Sequence, residues 1–206
     1  RMMDLVKELG LDEDTIFVFT SDNGAPSQGL GGVDPNFFDS LKGLRGNKGS
    51  VYEGGVRVPC IVRWKGRIKP GTESDRVTGF EDWLPTLIDL AGAKVKTPRN
   101  IDGISFAPTL LGKKQQERPF LYREFPSYGG QQSVRIGDWK GVRQNLNHPN
   151  RTPDLRIELY NLKKDPIESL NVAVQYPRIV AKMEKVMRQQ HQPSKDFPIP
   201  ALDQLQ

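Results

Sequence analysis

Residues 14–24 read DTIFVFTSDNG and residues 44–59 read LRGNKGSVYEGGVRVP. In the first stretch, Ile16-Phe17-Val18-Phe19 is an unbroken apolar, β-prone run that gives way at once to Thr20-Ser21-Asp22-Asn23-Gly24. A continuous apolar run, rather than an alternating one, predicts a strand buried on both faces of a parallel sheet. In open α/β sheets the ligand crevice lies outside the carboxyl ends of the strands, and Asp22 and Asn23 fall there. A carboxylate beside a carboxamide offers hard oxygen ligands, which suit Ca²⁺ or Mg²⁺ better than Zn²⁺. The same residue types are also favoured in a capped turn. In the second stretch Gly46 and Gly49 bracket Lys48, and Glu53-Gly54-Gly55 follows. Glycines around a lysine let the backbone come close while the ammonium acts as a point charge toward an oxyanion. Glu53 reads as a structural residue, ion-paired or capping, with Arg57 as a possible partner.

The ordered pair of motifs, continued by CIVRWKG at 60–66, resembles the C-terminal half of the type I, formylglycine-dependent sulfatases of the alkaline phosphatase superfamily. DWLPTLIDLAG (82–92), VRIGDWKGVR (134–143) and ELYNLKKDPIESLNVA (158–173) extend the resemblance along most of the chain. It implies an arylsulfatase-like hydrolysis of sulfate esters. Asp22 and Asn23 would ligate Ca²⁺, with Mg²⁺ the second choice, and Lys48 would hold the sulfate near the leaving oxygen. Arg123, Arg135 and His148 lie in the subdomain that in this family helps wall the substrate cleft, and are the further substrate-binding candidates. The formylglycine is expected upstream of Arg1, with the remainder of a sulfatase chain as partner and a sulfated small molecule or glycan as substrate. A periplasmic, secreted or lysosomal location is also implied. A metallo-phosphohydrolase or phosphoryl transferase of the same superfamily is an alternative, although Ala25-Pro26 follows TSDNG where such enzymes would place a histidine. A non-catalytic module binding anionic sugars is another.

Composition sets the outer bounds. At 206 residues, with 36% hydrophobic and 27% charged residues, the chain has the make-up of a globular protein with material for a sizeable core. No apolar run approaches the roughly 20 residues of a membrane span. The net charge of +5 comes from scattered basic residues, so no nucleic-acid partner is expected. Cys60 is the single cysteine, which excludes an internal disulfide. Cys60-Ile61-Val62-Arg63 lacks the Pro-Ser of the formylglycine conversion motif. Placed on the apolar side of a strand expected over Val56–Trp64, Cys60 reads as core packing.

Taken in order, Met2, Leu5, Val6 and Leu9 predict an amphipathic helix stopped by Gly10. Helix followed by parallel strand is the second half of a βαβ unit, so the chain reads as part of a longer one. Residues 25–39 form a loop. Phe80–Gly92 predicts a helix with Leu84, Leu87, Ile88 and Ala91 as its apolar stripe. Beyond the polar run at 113–118, short strand-like segments at 120–125, 132–136, 139–144 and 158–162 are separated by turn dipeptides. Ile179, Val180, Met183, Val186 and Met187 then mark a helix. The expected fold class is α/β, with residues 1–115 as the C-terminal part of an alkaline-phosphatase-like doubly wound sheet. Residues 116–191 would form a small antiparallel sheet with a packed helix, and 192–206 an extended tail.

Overall fold

A computed structural model describes residues 1–95, 97–148 and 150–205. The stretches 145–150 and 192–206 each contain one residue outside that set. In chain order the elements are α1 (Met2–Glu8), β1 (Ile16–Thr20), α2 (Glu53–Val56), β2 (Cys60–Trp64), α3 (Trp83–Leu90), α4 (Ala107–Leu110), β3 (Leu121–Phe125), β4 (Gln131–Ile136), β5 (Trp139–Arg143), β6 (Glu158–Asn161), α5 (Pro177–Gln190) and α6 (Pro200–Asp203). They fall into two compact units, residues 1–20 with 59–118, and residues 21–58 with 119–206. The segment 21–58, grouped above with residues 1–115, thus packs with the second unit.

In the first unit β1 pairs with β2, and the pairing is antiparallel: Ile16 lies opposite Trp64 and Thr20 opposite Cys60. This corrects the expectation of a parallel strand buried on both faces. An apolar run specifies a strand, but its direction is set by the neighbour it finds. Here Phe19 is 65% exposed. The strand expected from Val56 begins only at Cys60, because residues 53–56 close a helical turn in which Arg57 N donates to Glu53 O at 2.7 Å. Cys60, expected in the core, is exposed. Its place at the start of a strand with one partner leaves little to cover it.

The helical stripe also shifts. On α3 the buried residues are Pro85, Thr86 and Leu90, while Leu84 and Leu87 are exposed. Asp82 decides this orientation. Its carboxylate accepts from Gly79 N at 2.9 Å and Ile104 N at 2.7 Å and pairs with Arg118. Thr86 Oγ1 donates to Asp82 O and accepts from Phe106 N at 3.0 Å. Polar capping therefore outweighs the apolar period and turns Thr86 inward.

The second unit follows the sequence closely. Strands β3, β4, β5 and β6 form an antiparallel sheet in that order. Helix α5 buries Met183 and Met187 against Val134, Ile157 and Leu159. Gly141 lies where a Cβ would be 3.3 Å from Met183, so the strand's smallest residue admits the helix. On another side Val51 and Tyr52 pack with Val142, Tyr160 and Leu162. The tail is not simply extended: Ile199 and Leu202 are buried against Leu146. His191 Nε2 lies 2.9 Å from Asp203 Oδ1, and its Nδ1 lies 2.7 Å from Glu124 Oε1.

Candidate functional site

The two motifs are joined by backbone. Gly24 N donates to Gly55 O at 2.9 Å, and Lys48 N donates to Ala25 O at 2.8 Å. The approach is possible because Gly24 has no side chain; a Cβ there would lie 1.8 Å from Gly54 O. Gly54 and Gly55 are equally constrained, by Gly46 O at 2.3 Å and Ser50 O at 2.1 Å. The glycines thus bring the TSDNG turn and the lysine loop into one layer of backbone.

Asp22 is exposed at the tip of this arrangement and Asn23 is half-buried. Ser21 Oγ donates to Asn23 O at 2.9 Å, and Asn23 Nδ2 donates to Gly24 O at 3.0 Å. Spending the amide nitrogen on the backbone leaves Asn23 Oδ1 for a ligand. With the Asp22 carboxylate this makes an all-oxygen donor pair, suited to a hard cation but short of the six to eight oxygens that Ca²⁺ takes. Among the described residues no group of three or more His, Cys, Asp or Glu side chains is placed to hold a metal. The residues present therefore fit part of such a site.

Lys48 is exposed, on a loop braced from below. Gln131 on β4, which is buried, spans the loop's far side: its Nε2 donates to Gly49 O at 2.7 Å and its Oε1 accepts from Val51 N at 3.1 Å. Gln144 Nε2 reaches the same Oε1 at 3.1 Å. At the loop's near end the Arg45 guanidinium lies 3.9 Å from the centre of the Tyr52 ring and donates to the Tyr160 hydroxyl at 2.7 Å. Tyr52 and Tyr160 both donate to Glu158 Oε2, the latter at 2.7 Å. Burial, reinforced by the bond to Glu158, pushes the Tyr160 phenol up to about 12.

Beneath the loop lies a buried charge cluster. Lys140 is 3% exposed, with Nζ 2.9 Å from Glu53 Oε1 and 3.0 Å from Glu168 Oε1. The second contact is an ion pair not aligned as a hydrogen bond. Glu168 Oε2 accepts from Glu53 N at 2.7 Å, and Glu168 itself holds a left-handed φ of 55°. Burial pushes the Glu168 carboxyl up despite the adjacent ammonium. Glu53 is thus structural and ion-paired, as the sequence suggests, but its partner is Lys140 rather than Arg57.

The remaining candidates are dispersed. Arg135 Nε donates to Gly137 O at 3.1 Å and its guanidinium lies 3.9 Å from Glu53, at the margin of the charge cluster. Arg123 sits on β3 opposite Ser133 and donates to Tyr122 O at 2.7 Å. His148 is half-buried, its Nδ1 accepting from Asn150 N at 3.2 Å, and its ring approaches Gly129. Backbone bonds therefore join the segments that carry Asp22, Asn23 and Lys48, while Arg123 and Arg135 lie on β3 and β4. Gln131, Lys140 and Glu168 were missed. Their signal was faint: Lys140 is a single polar residue within an expected strand, Gln131 directly precedes one, and Glu168 lies in the loop after β6.

Comparison with known proteins gives a consistent result. The family model described as N-sulphoglucosamine sulphohydrolase, C-terminal, matches residues 46–193. Steryl-sulfatase of Mus musculus is 40% identical over 129 residues, which is 62% of this chain and 21% of that protein. Human arylsulfatase A is 34% identical over 190 residues, covering 83% of this chain and 36% of its own length. A solved structure in complex with its substrate D-glucosamine-2-N,6-O-disulfate superposes with a TM-score of 0.69 at 25% identity, over 92% of this chain and 36% of that one. The chain spans well under half the length of the curated relatives it matches.

Proposed function

Since this chain belongs to the sulfatases, in the family of the N-sulphoglucosamine sulphohydrolase C-terminal region, we propose that it forms the C-terminal part of a sulfuric ester hydrolase and supplies Lys48, Asp22 and Asn23 to its active site. The observation that carries this reading is the pair of backbone bonds, Gly24 to Gly55 and Lys48 to Ala25, that places the two motifs side by side. Lys48 binds a sulfate oxygen and presents positive charge to the ester as charge builds on its leaving oxygen. Asp22 and Asn23 hold part of a divalent-cation site, for Ca²⁺ before Mg²⁺. When bound, the cation would neutralise sulfate oxygens as a fixed Lewis acid. Glycine-tight backbone and Gln131 keep the lysine loop in place, so the charge needs no reorganisation as the ester reacts.

Nothing in this chain carries the formylglycine motif, and the nucleophile belongs, on this reading, to another part of the enzyme. The substrate class is a sulfated sugar, by likeness to the neighbour that binds a disulfated glucosamine. The test is hydrolysis of sulfated glucosamine by the longer protein that the reading requires. Lys48→Ala should lower kcat/KM by about 10²–10³-fold. Asp22→Ala should raise the Ca²⁺ concentration needed for half-maximal rate. Unchanged kinetics in both variants, turnover by this chain alone, or preference for a phosphate monoester would each refute the proposal.

A further inference from the structure

Residues 127–130 read SYGG at the hairpin between β3 and β4, and three of them in succession have positive φ: Tyr128 at 53°, Gly129 at 85° and Gly130 at 72°. Left-handed backbone is natural for the glycines and strained for a tyrosine, at roughly 1–3 kcal/mol. The hairpin is held there by Gly130 N to Ser127 O at 3.1 Å, Asn147 N to Gly129 O at 2.7 Å and Leu146 N to Gly130 O at 3.0 Å. The strain brings no burial in return, for Tyr128 is 71% exposed. Its ring is nonetheless fixed. Phe125 stacks on it with centroids 5.8 Å apart and planes at 22°. Gly49 packs against it so closely that a Cβ there would lie 2.8 Å from Tyr128 Cε2.

Gly49 is the residue after Lys48. The lysine loop and the tyrosine ring are thus fitted to one another through Gly49. A sulfate ion makes no use of an aromatic surface, since it is bound by charge and hydrogen bonds alone. The group to which the sulfate is attached does. Around the hairpin stand Asn145 and the half-buried His148, with Oδ1 3.5 Å and Cδ2 3.8 Å from a Cβ built at Gly129. A fixed, exposed aromatic ring, with an amide and an imidazole beside the same hairpin, suits a ring with apolar C–H faces and hydroxyls at its edge. We propose that Tyr128 is the platform on which the sugar ring of a sulfated saccharide lies when its sulfate is held by Lys48. This rests on the reading of Lys48 as the sulfate-binding residue.

The experiment separates the two parts of the ligand, by titrating the full-length protein calorimetrically with inorganic sulfate and with D-glucosamine-2-N,6-O-disulfate. Tyr128→Ala should weaken the sugar by about tenfold and leave inorganic sulfate within about twofold, while Tyr128→Trp should retain sugar binding. Lys48→Ala should weaken both ligands. If Lys48→Ala leaves inorganic sulfate unchanged, the assignment of Lys48 falls. If sulfate responds to Lys48→Ala but Tyr128→Ala spares the sugar, or weakens both ligands equally, the platform is wrong and Lys48 stands. Failure of the unmutated protein to bind the sugar also overturns the platform.

Discussion

A lysine that is 3% exposed must be matched where it sits, and Lys140 is matched by Glu53 and Glu168. Removing the ammonium would leave two carboxylates in a space that water does not reach. Lys140→Met should therefore cost about 3–5 kcal/mol, read from the urea midpoint at neutral pH. The cluster also has a pH signature. Because burial raises the Glu168 carboxyl, the folded chain holds that proton more tightly than the unfolded one. Its contribution to stability is complete below about pH 4, the unfolded carboxylate range, and is lost as pH rises through the raised folded value. Glu168→Gln should flatten this part of the profile, whereas Lys140→Met should steepen it by removing the charge that opposes the shift. None of this was legible at Lys140, which reads as a polar residue on a strand. Glu53 was legible as a structural residue, favoured over a metal or acid/base role, but its partner lies 87 residues away.

Among the elements, α3 and α5 make an instructive pair. On α5 the period of Ile179, Val180, Met183, Val186 and Met187 coincides with the face that packs on the sheet, because nothing polar competes with it. Met183→Ala should cost about 2–5 kcal/mol in a thermal or urea melt. On α3 the apolar period misidentifies the buried face, because Asp82 and Thr86 bond inward and the helix turns to satisfy them. Thr86→Val keeps the volume and removes the acceptor for Phe106 N, so a loss of about 1–3 kcal/mol is expected despite the gain in hydropathy. The tail repeats the lesson. Prolines and polar residues suggest extended chain, but Leu202 in α6 is buried on Leu146 and His191 lies between Glu124 and Asp203. Leu202→Asp should make residues 192–205 susceptible to limited proteolysis that the unmutated chain resists.

At the scale of the molecule, the two units differ in how they are held. Residues 21–58 and 119–206 enclose sheet strands whose Val134 and Val142 are fully buried, while β1 of the other unit exposes Val18 and Phe19. Hydrogen exchange should be slower at the amides of β4 and β5 than at those of β1 and β2. The first unit has an ion pair of its own. Asp12 receives both Nη1 and Nη2 of Arg63, at 2.7 and 3.0 Å, and the guanidinium holds its carboxyl below the usual carboxylate range. A depressed carboxyl contributes stability above its unfolded pKa that is lost as pH falls through the folded value. Acid below about pH 4 should therefore weaken the first unit through this pair, and Arg63→Gln should remove that part of the acid sensitivity.

By itself the sequence determined the fold class, the sulfatase resemblance and the four-stranded sheet with its helix, and it proposed Asp22, Asn23 and Lys48 as site candidates. Local chemistry suffices for these: apolar periods, turn dipeptides and glycines that admit close backbone act over a few residues, and short motifs carry their meaning in order and spacing. Only the tertiary structure decided the antiparallel pairing of β1, the inward face of α3, the anchoring of the tail, the Lys140 cluster and the meeting of Gly49 with Tyr128. Each depends on a partner distant along the chain, and the energy of a buried charge or a stacked ring belongs to that partner as much as to the residue itself.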